Sequence, residues 1–181
     1  ERFHQTLAGQ VRALVTQVQA NTGLTITHDM RIFPWAVRHA VWLLNRYLVK
    51  ASGATPWHSI SGQESKDRLA VFGQIVHAKI SEPQDQSKLI PRWFRCVWLG
   101  KMPQGHLVAT PAATTIVREI KALPVEQSWH GSNIVAMAGL PWARKRGGGD
   151  SRPARLLSQP LPDVELPPVM PPGPDRKSTR L

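Results

Sequence analysis

The chain has 181 residues, enough for one ordinary domain or two small ones with a tail, and too few for a large multidomain enzyme. Lys and Arg number 23 against 12 Asp and Glu, a net charge of +11 that favours a polyanionic partner such as nucleic acid. The single cysteine, Cys96, excludes an internal disulfide and a cysteine-based zinc site, and no run approaches the roughly 18 apolar residues that a membrane span needs.

The positive excess is spread along the chain, at about +4 in residues 1–50, +3 in 51–130 and +4 in 131–181, so no single basic arm carries it. The N-terminus is amphipathic and polar rather than a signal peptide. An intracellular, reducing compartment fits the lone thiol, and the chain is expected to have no membrane partner.

In residues 1–20, Phe3, Leu7, Val11, Leu14 and Val18 recur at spacings of four, four, three and four, one face of an α-helix. Glu1, Gln5, Ala8 and Arg12 fall off that stripe and form a separate polar face. Asn21-Thr22-Gly23 is the expected stop, with Gly23 suited to a left-handed C-cap. A second helix is predicted over 34–49, with Pro34 in its first turn and Val37, Ala40, Val41, Leu44 and Leu48 on its apolar side. Residues 51–66 hold Gly, Pro and Ser at short intervals and read as a linker.

From about residue 67 the texture changes to short β-prone runs at 69–80, 93–99, 106–110 and 115–120, separated by turn-like Pro and Gly segments. Four such runs predict a small antiparallel, barrel-like module over 67–122. Residues 123–181 include Arg144-Lys145-Arg146, Gly147-Gly148-Gly149 and eight prolines after it, and read as a basic, disordered tail. Trp35, Trp42, Trp93 and Trp98 are assigned to the core rather than to base stacking. The histidines, His28, His39, His58 and His130 among them, lack paired spacing or Cys partners and are assigned to packing or surface.

Several segments, taken in order, carry a resemblance. These are Glu1-Arg2-Phe3-His4-Gln5-Thr6-Leu7, then Trp35-Ala36 with Ala40, Leu44 and Asn45-Arg46, then Thr55-Pro56-Trp57, Phe72-Gly73, and the run through Val97-Trp98-Leu99-Gly100. Together, over residues 1 to about 122, they are similar to the integrase of copia-type long-terminal-repeat retrotransposons. The resemblance implies an α+β fold: residues 1–50 would be the last two helices of a ribonuclease H-like catalytic core, followed by the β-rich module. It also implies a fragment of a longer polyprotein, inactive alone, whose partners are DNA and the remainder of the integrase, with the intact parent working in the nucleus.

In that family two aspartates and a glutamate hold two Mg²⁺ or Mn²⁺ ions for phosphodiester cutting and joining. The resemblance makes Glu1 the third carboxylate, both catalytic and metal-binding, with both aspartates upstream of it. A hard divalent cation calls for such oxygen ligands, and paired ions activate the attacking and leaving oxygens. Gln5 and Arg12 would continue the face of Glu1 along DNA, and Arg144, Lys145 and Arg146 would add nonspecific phosphate contacts. Two other readings of the residues stay open: a standalone basic nucleic-acid-binding module without chemistry, and an inert remnant of a decayed element.

Overall fold

The i, i+3, i+4 spacing of the first segment becomes α1 (Arg2–Thr22), which buries Val11, Leu14 and Val18 and leaves Phe3 half-exposed at its start. Gly23 ends it in the left-handed region at φ 70°, its N–H donating to the Gln19 carbonyl at 2.8 Å. The computed structural model of the chain describes residues 2–67, 69–79 and 91–142.

A second helix, α2 (Ile32–Tyr47), starts two residues before the expected Pro34, which sits in the first turn where its missing N–H leaves no bond unmade. It buries Ile32, Trp35, Ala36, His39, Ala40 and Leu44, a wider stripe than that of α1. The expected linker holds a short helix, α3 (Pro56–Ser61). The Thr55 hydroxyl caps it by accepting from the His58 N–H at 3.1 Å, Pro56 follows at the first position, and Gly62 closes it in the left-handed region.

Among the described residues five antiparallel strands follow: β1 (Ile75–Lys79), β2 (Trp93–Met102), β3 (Gly105–Ala109), β4 (Thr114–Val117) and β5 (Ile120–Ala122), in the order β4-β3-β2-β1-β5. The run predicted over 69–80 is a strand only at its end. Before it the chain turns at Phe72-Gly73, with Gly73 at φ 81° and a Cβ at that position only 2.8 Å from Val18 Cγ2 of α1. The run predicted over 115–120 is likewise split, at Arg118-Glu119, into β4 and β5.

That split has a geometric consequence. The edge strands β4 and β5 would lie about 19 Å apart in a flat five-stranded sheet, at four inter-strand spacings of about 4.8 Å. Val117 and Ile120 end and begin these strands, and three residues of chain span at most about 11 Å. The sheet therefore curls until its edges approach, and Val117 and Ile120 meet in one apolar cluster with Val76, Ala78, Cys96, Trp98 and Val108 on the concave side. Among the described residues hydrogen bonding does not close it, so the expected barrel is realised as an open, strongly curled sheet.

The opposite face of the sheet contributes Val97, Leu99, Leu107 and Ala109 to a second cluster, with Val11, Leu14 and Val18 of α1 and Trp35, Ala36 and Ala40 of α2. Fully burying side chains of this size contributes about 1.5–3 kcal/mol each. The helices thus cover this chain's own sheet.

The boundary of the expected tail is corrected as well. Residues 125–127 form a 3₁₀ turn, and α4 (Gly131–Ala136) carries Ile134 and the adjoining Met137 into the same cluster as the helices. Polar groups secure it: Arg31 Nη1 donates to the Met137 carbonyl at 3.0 Å, Trp35 Nε1 to the Gly139 carbonyl at 3.1 Å, and the Thr114 hydroxyl to the Ala138 carbonyl at 2.7 Å. Composition suggested disorder because α4 is too short to show a period; its order comes from these tertiary partners. Residues 143–181 of the expected tail lie outside the described residues.

Candidate nucleic-acid interface

Strand alternation and register put a row of basic and aromatic side chains on one surface. His77 of β1 pairs with Arg95 of β2 on one side and with Lys121 of β5 on the other, and Lys79 pairs with Trp93. Directly paired residues share a face, and Arg95 and Trp93 fall two and four residues before Val97, which lies in the helix-covered cluster. The same face that α1 and α2 cover at one end therefore emerges uncovered at the other. Arg95 and Lys121 are exposed there, with His77, Lys79 and Trp93 half-buried among them.

The charges on this surface are held in distinct ways. Lys79 Nζ donates to both Glu119 carboxylate oxygens at 2.9 Å, so its charge is matched. Lys121 Nζ stands 4.4 Å from the centre of the Trp93 ring, an attraction that fixes a cation without neutralising it. Arg95 Nη2 donates to the Gln127 carbonyl at 3.0 Å, which orients the guanidinium and leaves its charge unmatched by any carboxylate among the described residues. Between them, burial and then the Arg95 and Lys121 charges hold the His77 imidazole below its usual pKa. The centre of the row is thus neutral near pH 7, flanked by two fixed cations.

A second basic-aromatic group gathers where α2 meets α3 and the sheet. The Arg46 guanidinium lies 3.7 Å from the Trp57 ring centre and 5.0 Å from that of Trp42, and Nη1 pairs with Asp67 at 3.3 Å. Lys101 Nζ reaches the other oxygen of Asp67 at 3.8 Å. The planar Arg46 group joins α3 to α2 by stacking, which a lysine could not do on both rings.

The expected site residues are distributed differently. Gln5 and Arg12 are exposed on α1, seven residues and so nearly two turns apart, and share one polar face. No hydrogen bond, ion pair or ring contact among the described residues joins them to the sheet row. Glu1, Arg144, Lys145 and Arg146 lie outside the described residues, so the expected catalytic carboxylate and the basic triplet have no described geometry. Among the described residues no group of three His, Cys, Asp or Glu could hold a metal ion, and no helix is long and apolar enough to cross a membrane. Cys96 is buried, and burial pushes its thiol pKa up, so it stays protonated.

Arg95, His77 and Lys121 were not singled out from sequence, and Trp93 was assigned there to the core. The signal was the alternation within Trp93-Phe94-Arg95-Cys96-Val97-Trp98, where a charge among apolar residues marks one surface of a strand. It was masked because both faces of β2 are apolar over most of its length, one against the helices and one inside the curl.

No protein-family model matches the sequence, and neither a curated protein nor a solved structure is significantly similar to it.

Proposed function

We propose that this chain is a nucleic-acid-binding module that holds DNA through the phosphate backbone, with the uncovered sheet row of His77, Arg95 and Lys121 beside Trp93 as its principal contact. The observation that carries this reading is the pairing of two cations, unmatched by carboxylates among the described residues, with a neutral histidine between them, on a rigid sheet in a chain of net charge +11. Such a surface neutralises phosphates and reads no base edges, so binding is weakly sequence-dependent and strongly salt-dependent. The polar face of α1, with Gln5 and Arg12, extends the same chemistry as a secondary contact.

The test is titration of the full chain with labelled duplexes at several salt concentrations. Each phosphate contact contributes about −0.9 to the slope of log affinity against log salt, so the double variant R95A/K121A should lower the slope by about 1.8. Arg12→Ala should lower it by at most about 0.9. Lys50→Ala, in the loop after α2, should leave it unchanged. A double variant with the parent's slope would remove the sheet row as the contact surface.

A narrower reading places the module in the integrase of a copia-type retrotransposon. It is supported by the ordered motifs of residues 1 to about 122 and by the sequence of two helices, a Thr-Pro-capped turn and a curled five-stranded sheet. Under it, Glu1 is the third metal carboxylate of a Mg²⁺- or Mn²⁺-dependent strand-joining site completed by two aspartates upstream. Strand joining by a protein that includes those aspartates should be lost on Glu1→Gln with DNA affinity kept; an unchanged rate would overturn the catalytic assignment. The ribonuclease H-like origin of α1 and α2 belongs to this reading alone.

A further inference from the structure

His77 stands between the two cations at the centre of the sheet row. On β1 it is directly paired with Arg95 of β2 on one side and with Lys121 of β5 on the other, and antiparallel partners stand about 4.5–5.5 Å apart at Cα. Since β1 separates β5 from β2, Lys121 Nζ and the Trp93 ring, 4.4 Å apart, meet across the surface of β1. The Arg95 guanidinium is held at the Gln127 carbonyl at 3.0 Å. Both cationic side chains are longer than the imidazole between them, so an anion that touches both comes to lie over the His77 ring.

The other charged groups of this surface do not offset the pair. On β1 itself Lys79 lies two residues on from His77, and its Nζ donates to both oxygens of Glu119, just before β5, at 2.9 Å. The 3₁₀ turn of residues 125–127 meets the row at Gln127, and its Glu126 is exposed. Toward the helices the paired neighbours are Ile75 and Val97, which carry no charge. Burial and then the Arg95 and Lys121 charges oppose a proton on the ring, and no carboxylate among the described residues is paired with it.

We propose that nucleic acid binds this row with uptake of one proton by His77, a backbone phosphate between Arg95 and Lys121 receiving the imidazolium as its third donor. This rests on the sheet row being the contact surface. Without nucleic acid a proton on His77 faces two like charges. A seated phosphate offsets their repulsion and accepts the ring N–H, which makes the protonated form the favoured one. The proton comes from solvent, and no covalent bond changes. Linkage fixes the sign: a group that holds its proton more tightly in the complex than in the free protein makes the complex tighter as pH falls. The gain is confined to the window between the pH at which the bound ring titrates and the lower pH at which the free ring does. Above it, Arg95 and Lys121 supply the charge alone.

The experiment follows the His77 ring resonances of the full chain against pH, with and without a saturating DNA duplex, and measures duplex affinity at fixed salt from pH 8 to pH 5.5. Circular dichroism at each pH checks that the fold is intact. The duplex should move the His77 titration upward by about one pH unit or more, the effect of an opposite charge within about 4–6 Å. Affinity should accordingly rise about fivefold or more from pH 8 to pH 5.5. His77→Gln, which cannot take up the proton, should lose most of that rise, whereas His58→Gln, on α3, should keep it. In R95A/K121A without DNA, His77 should titrate at a higher pH than in the parent, because the opposing charges are gone. A His77 titration unmoved by the duplex, or a His77→Gln protein with the parent's pH dependence, overturns the proposal. If that happens while R95A/K121A still lowers the salt slope, the sheet row stands as the contact surface and only the proton uptake falls. If R95A/K121A keeps the parent's slope, both fall together.

Discussion

A Cβ added at Gly100 would stand 3.0 Å from His39 Nδ1, so the glycine of β2 and the imidazole of α2 are fitted to each other across the helix–sheet interface. Gly100 holds φ 149°, where side chains are rarely accommodated, next to the register shift that interrupts the pairing of β2 with β3. His39 cannot retreat: Phe72 and Trp42 are stacked near it at 5.3 and 5.9 Å, and the edge of Trp98 lies at 5.2 Å. Gly100→Ala should therefore destabilise the fold by about 1–3 kcal/mol, from backbone strain and the displaced imidazole together. Urea denaturation monitored by tryptophan fluorescence measures it; a midpoint equal to the parent's would mean the contact is slack.

The same histidine makes stability depend on pH. Burial lowers the His39 pKa from 6.5 to about 4, so between these values the unfolded chain binds a proton that the folded chain refuses. Stability contributed by the neutral ring is complete above about pH 7 and is lost as pH falls through 6.5 toward 4, amounting to about 3 kcal/mol at the low end. His77 and His106 are shifted in the same direction, by burial first and then by Arg95 and Lys121 around His77 and by Lys101 beside His106, against a smaller opposing effect of Asp67. Denaturant midpoints should fall steadily from pH 7.5 to pH 4.5, and His39→Gln should flatten that slope. A flat profile in the parent would show that His39 ionises in the folded state.

The elements with internal periodicity were legible in the sequence and those made by tertiary partners were not. Val11, Leu14 and Val18 alone define α1, and Gly23 ends it where a left-handed cap was expected. The β-meander from β1 through β4 could be read from apolar runs between turns. The strand β5, three residues long, exists because Val76, His77 and Ala78 offer it an edge. Its existence curls the sheet and brings Lys121 beside His77, so the surface row depends on a pairing that no local pattern announces. Trp93 was assigned to the core for its size, yet it is half-buried under the Lys121 ammonium. Gln5 and Arg12 were correctly placed off the apolar stripe, because helical periodicity fixes which face is polar whatever covers the other.

The structural role of residues 123–142 gives the sharpest separation between composition and fold. Removing them exposes the cluster surfaces now covered by Ile134 and Met137, at about 1.5–3 kcal/mol for each side chain. It also takes away the Gly139 carbonyl from the Trp35 indole N–H and the Ser128 carbonyl from the Ile75 N–H, donors on residues 0% and 1% exposed. Each buried donor left unpaired costs about 1–3 kcal/mol, and the combined loss of roughly 5–12 kcal/mol is comparable to the whole stability of a domain. A chain ending at residue 122 should therefore lose its cooperative thermal transition, whereas one ending at residue 142 keeps every described element and should melt cooperatively. The comparison is made by circular dichroism, with near-ultraviolet signal from the tryptophans reporting fixed packing. Were 123–142 a solvated tail, as their composition suggests, the two chains would melt together; coincident transitions would return α4 to the tail and leave Trp35 to be satisfied by water.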